Sequence, residues 1–142
     1  MRRLGSLALL LVVCGCASAR IAPPEQAVDA FLDAFNRLDA DAVGALFADD
    51  ATAFLPMPQY RAKLTGRAAI VAALRPLFDA ERARSGAMHL AHHDLSVQRS
   101  GTTAVATFDV GTAEVSSRRT LVLAWRGGRW WIVHLHASNL RP

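Results

Sequence analysis

The chain has 142 residues, 52% of them hydrophobic, 20% charged and 7% aromatic, which suits one compact core and leaves no room for two. Nine Gly, six Pro and no biased tract exclude a collagen-like, linker-like or disordered chain. The formal charge of +4 would suit a nucleic-acid surface, but the arginines beyond the first residues are scattered and not interleaved with aromatics, so no nucleic-acid partner is expected.

Arg2 and Arg3 precede an unbroken small and apolar stretch ending at Ala19. A basic head and a short apolar core are the layout of a secretory signal, here 1–19, too short for a permanent membrane span. Without those two arginines, 14 Lys and Arg face 12 Asp and Glu, a net charge of +2. Cys14 and Cys16 both lie in this leader, so the mature domain is expected to hold no internal disulfide. The run Leu11-Val12-Val13-Cys14-Gly15-Cys16 resembles a bacterial lipobox, which implies lipidation of Cys16 and a mature chain starting there. Ala17-Ser18-Ala19 offers an ordinary cleavage site as the alternative. At ~0.8 kcal/mol per buried methylene, two or more acyl chains would hold a soluble domain on a membrane where one would not. The expected location is the cell envelope, on the periplasmic or outer-membrane side, with the lipid anchor as the only membrane contact.

A tether at 20–25 leads into a domain at 26–140. Pro23 and Pro24 suit the first turn of a helix, where a missing N–H costs nothing. Val28, Phe31, Leu32, Phe35 and Leu38 follow at one-face helical spacing and predict a helix to Leu38. Asp39 is a good N-cap for a second, short helix carrying Val43, Leu46 and Phe47 and ending at Asp49-Asp50. Around Pro56 and Pro58, and from Tyr60 to Leu64, the pattern predicts two short strands or an ordered loop. Thr65-Gly66 introduces a third helix with Ile70, Leu74, Leu77 and Phe78, which Pro76 should kink or interrupt. From Met88 the period becomes two, predicting strands near 88–98, 102–110, 117–126 and 129–138 with turns at Ser100-Gly101 and Gly127-Gly128. Helices followed by an antiparallel meander define an α+β fold, a curved antiparallel sheet wrapped around N-terminal helices.

A two-residue Gly127-Gly128 turn pairs Trp125 with Trp130, Leu123 with Ile132, Leu121 with His134 and Arg119 with His136, all on one face. The other face would carry Val122, Ala124, Trp131, Val133 and Leu135, apolar enough to meet a partner subunit. Arg119, His134 and His136 then converge on a largely apolar surface, where a guanidinium fork and two imidazoles suit a carboxylate or other small anion. Tyr60, Phe31, Phe54, Trp125 and Trp130 would form the apolar wall. The alternatives are histidines bonded to backbone or to Tyr60, and tryptophans that only extend the core. A Ser100-Gly101 turn would set His92 opposite Asp109 as a cross-strand pair and His93 opposite Phe108 on the inner face. His89, His92 and His93 are thereby split and match no metal-ligand spacing, so no metal is expected. No nucleophile arrangement or phosphate-cradling loop is present, and no cofactor is implied.

The run AVDAFLDAFNRLDADAVGALFADDATAFLP, then LTGRAAI, then GGRWWIVHLHAS, resembles the nuclear transport factor 2-like superfamily, in particular its SnoaL-like branch, over about 26–138. The resemblance implies a cone with a deep pocket between sheet and first helix and a homodimer, and it implies no single function. Ketosteroid isomerases of that superfamily use a Tyr in the first helix and an Asp before a Pro. Phe31 and Leu55 stand at those positions here, so neither the oxyanion donor nor the base is present. Cyclase members use an inward acid or His, a role that His134, His136 or His93 would have to fill. Three readings follow: a binding domain for a small, partly apolar, anionic molecule; a cyclase or isomerase with a His base; and a structural envelope dimerisation module.

Overall fold

A computed structural model describes residues 21–111 and 116–139. The leader with Cys14 and Cys16 lies outside the described residues.

Helix α1 (Glu25–Asn36) starts on Pro24, whose carbonyl accepts from Ala27 N–H, and buries Ala27, Val28, Phe31, Leu32 and Ala34. It stops two residues short of the predicted end. Leu38 adopts φ 56° while its side chain is 1% exposed, so the chain reverses there to keep that leucine in the core. Asp39 caps α2 (Ala40–Gly44) by accepting from Ala42 N–H at 2.9 Å. The predicted continuation of this helix to Asp49-Asp50 is wrong. Phe47–Phe54 is strand β1, with Phe47, Ala48, Ala51 and Ala53 buried and Asp49 and Asp50 exposed. Strand β2 (Leu64–Thr65) pairs antiparallel with it. Helix α3 (Arg67–Ser85) runs unbroken through Pro76, which therefore does not interrupt it. Pro76 and Ala72 both face solvent, where water reaches the carbonyl that the proline leaves without its donor.

Strands β3 (His92–Ser100), β4 (Thr103–Gly111), β5 (Ser116–Arg126) and β6 (Arg129–Asn139) complete a curved, unclosed sheet of order β2-β1-β6-β5-β4-β3, in which only β1 and β6 are parallel. The helices pack on its inner face, and one apolar cluster joins Val28, Phe31, Ile70, Leu74 and Phe78 to Phe108, Leu121, Leu123 and Leu135.

Both predicted registers need correction. In β3/β4 the turn is Gly101-Thr102, Ser100 opposes Thr103, and a bulge between His93 and Ser96, with Asp94 at φ 51°, sets His92 opposite Val110 and His93 opposite Asp109. His92 therefore takes the inner face in place of His93. Its ring lies 6.4 Å from that of Phe108, and its Nε2 lies 3.5 Å from Asp29, which replaces the expected Asp109. In β5/β6 the tip is as predicted, with Trp125 opposite Trp130 and Leu123 opposite Ile132. Val133 is then an extra residue, so Val122 opposes His134, Leu121 opposes Leu135, Thr120 opposes His136 and Arg119 opposes Ala137. From there on, every β6 side chain takes the other face.

Buried Gly44 lets α2 approach α3: a Cβ there would lie 2.6 Å from Val71 Cγ2. Gly44→Ala should lower the urea unfolding free energy by about 1–3 kcal/mol, and adding Val71→Ala should recover part of the loss. No loss in the single variant would disprove the close contact.

Candidate functional site

A cavity of about 230 Å³ lies between α1, α3, the segment following β1, the segment preceding β3, and the inner face of β5 and β6. Phe31, Leu55, Met57, Leu74, Met88 and Leu135 are among the apolar side chains of its wall. Phe31 and Phe35, one helical turn apart with rings 5.2 Å between centroids, present one face of α1, and Phe35 meets Phe78 of α3 edge-on at 4.7 Å. The segment carrying Met88 and Leu90 is fixed by Asn36. Its amide donates to Leu90 carbonyl at 2.9 Å and accepts from Leu90 N–H at 2.7 Å, and its own carbonyl takes Met88 N–H at 3.1 Å.

The only polar side chains in this lining, among the described residues, belong to Arg119 and Asn139. Arg119 is half-buried, and its Nη1 donates to Ser117 Oγ at 2.6 Å and to the Arg118 carbonyl at 2.9 Å. Buried Ser117 in turn donates to Asn139 Oδ1 at 2.5 Å, tying the start of β5 to the end of β6. Both guanidinium bonds use Nη1. Among the described residues the Nε and Nη2 edge has no hydrogen-bond acceptor, and no carboxylate lies within 4.0 Å of the group. Burial pushes its pKa down to about 10, so it remains a cation at neutral pH but a poorly solvated one.

The anion-binding trio read from the sequence does not assemble. Arg119 faces the cavity, while the extra Val133 turns His134 and His136 to the outer face. There, exposed Phe54 packs against both imidazoles at 5.9 and 5.7 Å, and His134 Nδ1 shares a 2.7 Å hydrogen bond with Thr52 Oγ1. Partial burial pulls His134 below the ordinary imidazole value, and His136 and Lys63 add like-charge repulsion. Trp125 and Trp130 stack edge-on at 5.4 Å toward the hairpin tip, with Trp130 Nε1 donating to the Ala22 carbonyl at 2.7 Å. Tyr60 packs against the core from the loop after β1 and does not line the cavity. Of the eight predicted ligand contacts, the cavity gathers Phe31 and Arg119. Asn36, Met57, Met88 and Asn139 were not foreseen. Only Asn36, an amide at the end of an apolar helical stripe, carried a signal that could have marked it. Among the described residues, no three His, Cys, Asp or Glu side chains gather at metal-ligating distance.

The chain belongs to the SnoaL-like domain family, whose family model matches residues 25–142. It is similar to the crystal structure of a candidate calcium/calmodulin-dependent protein kinase type II association domain from Thiobacillus denitrificans, with 29% identity, TM-score 0.70, and 83% of this chain and 95% of that one covered. A nuclear transport factor 2-like protein of unknown function from Pseudomonas putida shares 23% identity at TM-score 0.68, over 80% of this chain and 82% of the other. A ketosteroid isomerase-like protein from Erwinia carotovora atroseptica shares 23% identity at TM-score 0.68, over 86% and 97%. The last two likenesses concern the fold alone. No curated protein matches the chain.

Two outcomes follow from this geometry. Arg119→Met keeps the unbranched stem of the side chain and removes the guanidinium with its charge, so the domain without a ligand should gain on the order of 1–3 kcal/mol of stability, read from urea midpoints. A loss would mean that the guanidinium is well compensated. His134 binds its proton less readily when folded than in the unfolded chain, so stability should fall as pH drops through about 6.5. His134→Gln should flatten that part of the profile, and identical profiles for the two proteins would refute it.

Proposed function

We propose that this SnoaL-like domain is exported, anchored through lipid on Cys16, and binds a small, partly apolar, anionic molecule in the cavity between its helices and sheet. The observation that carries the reading is Arg119: a cation whose Nε and Nη2 edge meets no acceptor among the described residues, in a lining that is otherwise apolar among those residues but for Asn139. Without a ligand such a group costs stability, and with a suitable anion the cost is offset. Binding is favoured over proton-transfer chemistry because no carboxylate or imidazole lines the cavity among the described residues, and all three sheet-borne bases suggested by the sequence, His134, His136 and His93, lie on the outer face. Phe31 and Leu55, which stand where the isomerases carry their donor and base, are both cavity wall. The outer face, with Val122, Ala124, Trp131 and Val133 only half-buried in a single copy, supports pairing with a second copy.

Native mass spectrometry on protein extracted gently from the membranes of a host that processes its leader tests the three parts together. The expected species is an acylated dimer carrying a small molecule, with the acyl mass lost in Cys16→Ala, the dimer in Val133→Asp and the small molecule in Arg119→Ala. An unacylated chain beginning after Ala19 would overturn the anchor. A small molecule retained by Arg119→Ala would overturn the site.

A further inference from the structure

We propose that the molecule selected by this cavity is a monocarboxylic acid with a short apolar tail, an inference that rests on the cavity being a binding site. Three features lead there. The first is the geometry of the guanidinium: Ser117 Oγ and the Arg118 carbonyl both draw on Nη1, which fixes the plane of the group and leaves the Nε and Nη2 donors side by side. That edge matches the two oxygens of a carboxylate in a bidentate pair, the strongest and most directional pairing a guanidinium makes.

The second is charge balance. Among the described residues, Arg119 is the only charged group lining the cavity, and Asn139, held by Ser117, is its only other polar side chain. One negative charge is neutralised. A second one, as in a dicarboxylate or a phosphate monoester, would sit uncompensated against Phe31, Leu55 and Leu135. A neutral alcohol or amide would leave the cation as poorly solvated as it is in the empty site.

The third is size and texture. About 230 Å³ falls below the roughly 300–1,000 Å³ of pockets for drug-sized ligands, so the tail is short. Met57 and Met88, unbranched and polarizable, adapt to its shape without adding a second polar contact. Burial leaves Arg119 charged up to about pH 10, and no imidazole lines the cavity among the described residues. Affinity should therefore be flat through neutrality and fall only where the acid itself protonates, near pH 4–5 by analogy with side-chain carboxyls.

The test uses the processed full-length protein, three probes of similar length (octanoate, 1-octanol and suberate), and the ¹³C-methyl resonances of Met57 and Met88 as the reporter of binding in the cavity. Octanoate should bind at least about tenfold more tightly than either of the others. Arg119→Met, expected to be the more stable protein and checked for folding by circular dichroism, should erase the preference of octanoate over 1-octanol. Arg119→Lys should retain part of it. Equal binding of octanoate and 1-octanol, or tighter binding of suberate, would overturn the monocarboxylate and leave the binding site standing. No methyl shift with any of the three probes would overturn the binding reading itself.

Discussion

Between Ile132 and His134, strand β6 carries one residue more than β5 offers opposite it, and on its other side the parallel register with β1 breaks at the same place, between Phe47 and Thr52. Ile132 N–H is taken there by the Leu46 carbonyl, at the point where the chain leaves α2 for the sheet. Because strand side chains alternate strictly, this one extra residue decides what shares the cavity with Arg119. With it, Leu135 and Ala137 stand on the inner face and His134 and His136 on the outer. Without it, two imidazoles would line the cavity and the site would be suited to acid–base work. The bulge leaves an apolar lining in which, among the described residues, Arg119 is the one charged side chain.

That cation is held at a cost. A half-buried guanidinium with one nitrogen bonded and the remaining edge without a partner among the described residues should lower the stability of the domain when no anion is bound. The rest of the chain compensates by ordinary means: a continuous core from α1 and α3 to the inner sheet face, the Asn36 amide that clasps the segment before β3, and Arg82, whose Nη2 donates to the Leu38 carbonyl where the chain reverses. A group that weakens the fold and faces a cavity is where binding is expected to reside. The likeness to the association-domain, nuclear transport factor 2-like and isomerase-like structures covers the scaffold, and scaffolds of this kind are hosts to unrelated activities.

The scaffold was legible because its signals are periodic. The apolar stripe of α1, the Asp39 cap and the change to period two after Met88 each placed an element close to where it lies. The strand from Phe47 was missed because Val43, Leu46 and Phe47 fit a helical stripe as well as a strand entry, and a run of small alanines carries little periodicity of its own. The site was less legible. Nothing about Val133 marks it as a bulge, since it is neither Gly nor flanked by turn residues, and a counting argument from the Gly127-Gly128 turn fails silently beyond it. Met57 and Met88 come from segments between regular elements, where no period announces which side chains point inward. The place of Arg119 in the cavity lining was legible because an arginine on an apolar strand face demands a partner whatever the register of its neighbour.

The most direct measurement is the register of the last hairpin in solution, read from cross-strand nuclear Overhauser effects between backbone protons of β5 and β6. Contacts joining Val122 to His134 and Leu121 to Leu135 are predicted, together with contacts from the methyl groups of Leu135 to Phe31. Contacts joining Leu121 to His134 and Arg119 to His136 would restore the unbulged hairpin, bring both imidazoles into the cavity beside Arg119, and contradict the account.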